Sequence, residues 1–137
     1  MNTDHGVKDK DRVSGTLPSV AGDYMQERIT FGASMAGSGE KSYMGVTALL
    51  EDCPAGAILE LWLPKVGDAT KLAADRTDAD YFFAGQAVYP ARTAVTPTGI
   101  TGSYGSATWS LAGYPGAQLR LRSGGNGGAA AFSGTAF

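Results

Sequence analysis

From residue 26 onward, glycine and proline interrupt this chain about every ten residues, and the runs between them alternate apolar with polar side chains. Side chains alternate every two residues on a strand and recur every 3.6 on a helix, so the alternation selects strands. Leu59-Glu60-Leu61-Trp62-Leu63 sets three leucines on one face and Glu60 and Trp62 on the other, and Pro64 ends the run. Ile29 and Phe31 oppose Arg28 and Thr30 in the same way over residues 26–32, and Leu119 and Leu121 oppose Arg120 and Arg122 over 117–122. Further strand candidates lie at 42–50, 81–83 with 86–89, 93–96, 107–111 and 129–137. Gly113-Tyr114-Pro115-Gly116 and Gly124-Gly125-Asn126-Gly127-Gly128 have the composition and length of hairpin connections. The expectation is an all-β fold, an antiparallel β-sandwich of jelly-roll or immunoglobulin-like order, since spacing does not reveal strand order. Residues 68–75 read equally as a short helix capped by Asp68 or as a loop with a brief strand.

Residues 1–25 differ. They are polar, of mixed charge, and interrupted by Pro18, with isolated apolar positions at Val7, Val13, Leu17 and Val20. The expected organisation is an extended N-terminal arm over 1–25 and a sandwich domain over 26–137, the arm taking fixed structure on a partner surface. The core should be built of small residues, because the chain has 20 Gly and 21 Ala among its 137 residues and only 25 Ile, Leu, Val and Phe. Such a low apolar share signals disorder only alongside high net charge, and the net charge is −2. Residues 51–80 hold seven acids and three bases, whereas 81–137 hold three arginines and no acid, an asymmetry suited to patch-to-patch contact.

Several classes of function are disfavoured. Net charge −2 is not that of a dedicated nucleic-acid binder. No run approaches the ~18 apolar residues of a membrane span, and the first 25 residues lack the apolar core of a signal peptide. Synthesis in a host cytoplasm is therefore expected. One histidine, His5, and one cysteine, Cys53, supply neither a zinc site nor a disulfide, and His5 in a loose arm cannot serve a catalytic triad. No enzyme activity, metal or cofactor is expected. Asp75, Asp78 and Asp80 lack the glycine and terminal glutamate of an EF-hand loop and read as a solvated loop. The glycines at 124–128 lack the Lys-Ser/Thr of a phosphate loop and read as a turn.

The stretch Trp109-Ser110-Leu111-Ala112-Gly113-Tyr114-Pro115-Gly116-Ala117-Gln118-Leu119-Arg120-Leu121-Arg122-Ser123-Gly124-Gly125 leads into a small-residue strand ending at Phe137, with Leu59-Glu60-Leu61-Trp62-Leu63-Pro64 upstream. Over about residues 55–137 this resembles the small β-sandwich structural proteins of tailed bacteriophages, and among them the head decoration, or cement, proteins. The resemblance implies a virion protein on the capsid exterior that braces neighbouring major capsid subunits, often as a homotrimer, with terminal arms doing part of the gripping. On that reading Arg12, Val13, Leu17, Val20 and Tyr24 of the arm contact the capsid, with Arg120 and Arg122 as a second, basic contact. The alternatives are a phage tail, connector or fibre component, and a carbohydrate-binding module in which Trp62, Trp109 or Tyr114 stacks on sugar rings.

Overall fold

The computed structural model describes residues 9–31, 43–65, 75–89, 92–95, 101–111, 113 and 116–137. Among these residues nine strands form: β1 (Asp9–Leu17), β2 (Tyr24–Phe31), β3 (Gly45–Glu51), β4 (Ile58–Pro64), β5 (Tyr81–Val88), β6 (Arg92–Val95), β7 (Thr101–Ser110), β8 (Ala117–Arg122) and β9 (Gly128–Ala136). One 3-10 turn, Asp78–Asp80, leads into β5. Sheet A has the order β1-β9-β3-β7-β6 and sheet B the order β2-β8-β4-β5, and all pairs are antiparallel. The chain is thus an all-β sandwich.

Strand order decides between the two topologies left open by the sequence. In an immunoglobulin sandwich the first two strands share a sheet. Here β1 and β2 lie in opposite sheets, β1 pairs with the final strand β9, and only β4–β5 and β6–β7 connect neighbours within a sheet. This is the wrapped order of a jelly roll, with β6 added at one edge.

The inward faces carry the residues that the alternation singles out. Sheet B contributes Ile29, Phe31, Leu59, Leu61, Leu119 and Leu121, and sheet A contributes Val46, Ala48, Leu50, Ala130 and Phe132, all buried. Small residues on β9 let the sheets close. A Cβ on Gly134 would lie 2.6 Å from Leu119 Cδ1 and 2.9 Å from Phe31 Cζ, so these two side chains occupy the space that any larger residue would need. Between β3 and β4 the chain turns through Asp52, whose φ of 48° is left-handed. Aspartate tolerates that conformation better than most residues, and the turn carries Cys53 inward against the Ala131 carbonyl.

The arm is the main correction. From Asp9 on it is an integral part of the sandwich: β1 keeps register with β9 from Asp9↔Ala136 to Leu17↔Gly128. Leu17 and Met25 are fully buried, and Val13 packs on the core. The two-residue alternation exists here as Arg12, Ser14 and Thr16 outside against Val13, Gly15 and Leu17 inside. Glycine at the middle inward position carries no hydropathic signal. Its lack of a side chain has a local cause, because Glu27 of β2 fills the space where a Cβ would sit. The helix-or-strand alternative over 68–75 lies outside the described residues except for Asp75.

Candidate binding faces

The outer face of sheet B carries a network of arginines, acids and aromatic rings. Antiparallel register sets Tyr24 beside Arg122 and Ile58, Arg28 beside Arg120 and Glu60, and Gln118 beside Trp62. Glu60 is 3 % exposed. Its Oε1 accepts from Tyr24 Oη at 2.6 Å and from Trp62 Nε1 at 3.0 Å, and its Oε2 accepts from Arg122 Nε at 2.8 Å. A buried carboxylate is tolerated when its lone pairs are filled in this way. Burial, and then the hydrogen bond to Glu60, raise the Tyr24 phenol above its ordinary pKa.

Arg120 is also 3 % exposed, although it projects from the outer face. Its guanidinium carbon lies 4.2 Å from the Trp62 ring centroid and 5.4 Å from that of Tyr81, so the cation sits between two aromatic side chains. Its Nε donates to Gln118 Oε1 at 2.6 Å, and its Nη2 is 3.5 Å from Asp78 Oδ1. Asp78 accepts from Arg28 Nη1 at 2.6 Å, which ties the 3-10 turn to the sheet. That hydrogen bond lowers the Asp78 carboxyl below its usual pKa, with the Arg120 charge adding to the effect. Burial, then the nearby Arg28 charge, lower the Arg120 pKa. Asp80 turns back on its own segment, its Oδ2 accepting from the Thr77 backbone N–H at 2.8 Å. Two of the three carboxylates considered for a cation loop are thus engaged by the protein itself.

These facts relocate the candidate contact residues. Arg120 and Arg122 belong to a packed internal network rather than to a free basic strand. Tyr24 is held by Glu60, and Leu17 is core. Of the arm residues, Arg12 and Val20 remain at the surface, Arg12 lying 3.5 Å from Glu51. The alternative of a sugar-stacking platform finds no free stacked pair among the described aromatic residues. One face of Trp62 is covered by Arg120, Trp109 packs against the backbone of Gly85, Tyr89 is buried, and Tyr114 lies outside the described residues. Sequence reasoning missed the roles of Glu60, Gln118 and Asp78. Glu60, opposite Arg120 on the neighbouring strand, and Gln118, two residues before Arg120 on the same outward face, had a legible signal, but for Glu60 only once strand order is known.

Two other surfaces of the described residues differ from this network. The outer face of sheet A consists mainly of small uncharged side chains, with Arg12 and Glu51 among its charged positions. Across it run Ser14, Thr16, Ala129, Ala131, Ser133, Thr135, Thr47, Ser106 and Thr108, with Leu49 exposed near the centre. A shallow depression of about 430 Å³ lies over Ala129 and Ala131, walled by Ser14 and Thr16 and rimmed by Arg12 and Glu51. The second surface is the outer edge of β5. Phe82, Phe83 and Val88 there are 38 %, 47 % and 56 % exposed.

No family model and no curated protein sequence matches the chain. Among solved structures, it is similar to the mitogen from Yersinia pseudotuberculosis, at 10 % identity and a TM-score of 0.49 over 95 % of this chain and 86 % of that one. It is also similar to the disulfide-linked pili of Bacillus endospore appendages, at 10 % identity and a TM-score of 0.33, with 95 % and 86 % covered. The tobacco streak virus coat protein dimer follows at 11 % identity and a TM-score of 0.31, with 91 % and 84 % covered. At such identities a likeness concerns the arrangement of strands and assigns no activity.

Proposed function

We propose that this chain is a non-catalytic structural protein of a tailed-phage virion, docked on the outside of the capsid through the outer face of sheet A and bracing neighbouring capsid subunits. The observation that supports this reading is the run of small side chains across that face. Serine, threonine and alanine lose little rotamer freedom on burial, and they let a second protein surface approach the sheet backbone closely. The depression over Ala129 and Ala131 offers a seat for one partner side chain, with the Arg12–Glu51 pair at its rim for polar contact. A standard interface buries ~800 Å² per partner, an area within the scale of a five-stranded sheet face.

The docking residues on this reading are Arg12, Ser14, Thr47, Leu49, Ala131 and Ser133, keeping Arg12 of the arm and leaving out its other expected contacts and the basic strand. The test is co-sedimentation of the purified protein with phage heads assembled without it. Saturable binding at a fixed ratio to the capsid protein is the expected result. Absence of binding at protein concentrations up to 100-fold above the capsid-site concentration refutes a cement role.

A further inference from the structure

We infer that β5 is a self-pairing edge, through which two copies of this chain join their B sheets about a two-fold axis. Among the described residues, sheets A and B present four edge strands. Three of them are blunted in the usual manner, by charge or by shortness. β1 carries Asp9, Lys10, Asp11 and Arg12, β2 carries Glu27 and Arg28, and β6 has four residues and begins with Arg92. β5, Tyr-Phe-Phe-Ala-Gly-Gln-Ala-Val, has no charge and no proline. Of its eight residues only Tyr81 is buried.

A bulge in β5 argues for a second copy rather than an unrelated strand. Against β4, the outward positions are Tyr81, Phe83, Gln86 and Val88, paired with Pro64, Trp62, Glu60 and Ile58. The inward positions are Phe82, Gly85 and Ala87, and Ala84 is the extra residue. A regular strand laid along the other edge would lose register at that extra residue. A second β5, centred between Ala84 and Gly85, carries the same extra residue at the same place. In that antiparallel register Tyr81 faces Val88 of the other copy, Phe82 faces Ala87, Phe83 faces Gln86 and Ala84 faces Gly85. Outward residues meet outward residues, inward meet inward, and all eight positions pair. Without the bulge, the same full-length register would set each outward side chain against an inward one.

Charge favours the same arrangement. Residues 75–80, immediately before β5, contain three aspartates and one arginine, whereas no acid follows β5 to the end of the chain. Antiparallel pairing sets the acidic end of each copy beside the acid-free end of the other, and parallel pairing would set acid against acid. With ~200 Å² per phenylalanine side chain, the exposed parts of Phe82, Phe83 and Val88 amount to roughly 250 Å² of apolar surface per copy. Together with the strand backbone this stays below the ~1,200 Å² of stable complexes. The dimer is therefore weak, and favoured where copies are crowded on a surface.

Sedimentation velocity of the full chain from 10 µM to 1 mM tests this with no phage heads present, so its outcome is independent of the capsid reading. The expected result is a concentration-dependent dimer, with slower amide exchange in β5 at 1 mM than at 10 µM. Val88→Lys and Gln86→Lys, both at exposed positions, should each weaken dimerisation at least tenfold while leaving monomer circular dichroism unchanged. A monomer at 1 mM overturns the inference. So does a dimer indifferent to both substitutions, or a trimer as the solution state.

Discussion

Gly134→Ala separates two physical effects of opposite sign. Glycine within a strand costs roughly 0.5–1 kcal/mol relative to alanine through backbone entropy, so propensity alone predicts stabilisation. Packing predicts the reverse. The added Cβ would sit 2.6 Å from Leu119 Cδ1 and 2.9 Å from Phe31 Cζ, about 1 Å inside ordinary carbon contact distance. Leu119 and Phe31 are themselves buried, so neither can swing into solvent. Overpacking of this kind typically costs about 1–3 kcal/mol, and the net loss should be about 0.5–2 kcal/mol after the entropic gain is subtracted. Urea unfolding gives the value directly, as a lower midpoint at unchanged slope. Shortening one clashing neighbour supplies the control: Gly134→Ala should destabilise less in a Leu119→Val background than alone, a coupling that a double-mutant cycle isolates. A more stable Gly134→Ala variant, or strict additivity with Leu119→Val, would refute the reasoning.

The outer network of sheet B gives further expectations. Arg122→Met leaves the buried Glu60 carboxylate with two donors and no cation, and should cost about 3 kcal/mol in urea unfolding at pH 7; a loss under 1 kcal/mol would mean that Glu60 is satisfied without it. Asp78 is ionised more readily in the folded chain than in the unfolded one, because Arg28 donates to it. Its contribution is therefore complete above the unfolded carboxyl pKa of about 3.9 and lost as pH falls through its lower folded value. Asp78→Asn should flatten the stability profile over that acidic window, and an unchanged profile would place the effect elsewhere. Removing residues 1–17 strips β1 from β9 and uncovers the core beside Leu17, so cooperative unfolding should be lost or shifted far down in urea; a truncated chain as stable as the full one would show that β1 is dispensable.

β2, β3, β4 and β8 were legible because their inward residues include Ile29, Phe31, Val46, Leu50, Leu59, Leu61, Leu119 and Leu121, whose spacing reports a face directly. β1 was hidden because its inward triplet is Val13, Gly15 and Leu17, and the central member is silent in any hydropathy pattern. Topology was beyond the sequence because pairing between residues as distant as Asp9 and Ala136 leaves no local trace. Most of the candidate contact residues are engaged within the fold, for a related reason. Arg120 and Arg122 do lie on the outer face, as alternation predicts, but an outward side chain need not be exposed. Whether it is depends on what the adjoining strands contribute, here Trp62, Gln118 and Glu60, together with Asp78 from a turn fifty residues from Arg28.

The central claim is that the small-residue outer face of sheet A is the docking surface, and Ala131→Arg tests it most directly. Ala131 forms part of the floor of the depression on that face, and an arginine there would project into it. Gln26→Lys, an exposed change on β2 of the opposite sheet, is the matched control for added charge. In co-sedimentation with phage heads lacking the protein, the account predicts saturable binding by the wild type and by Gln26→Lys, and at least tenfold weaker binding by Ala131→Arg. Equal occupancy by all three proteins would contradict it.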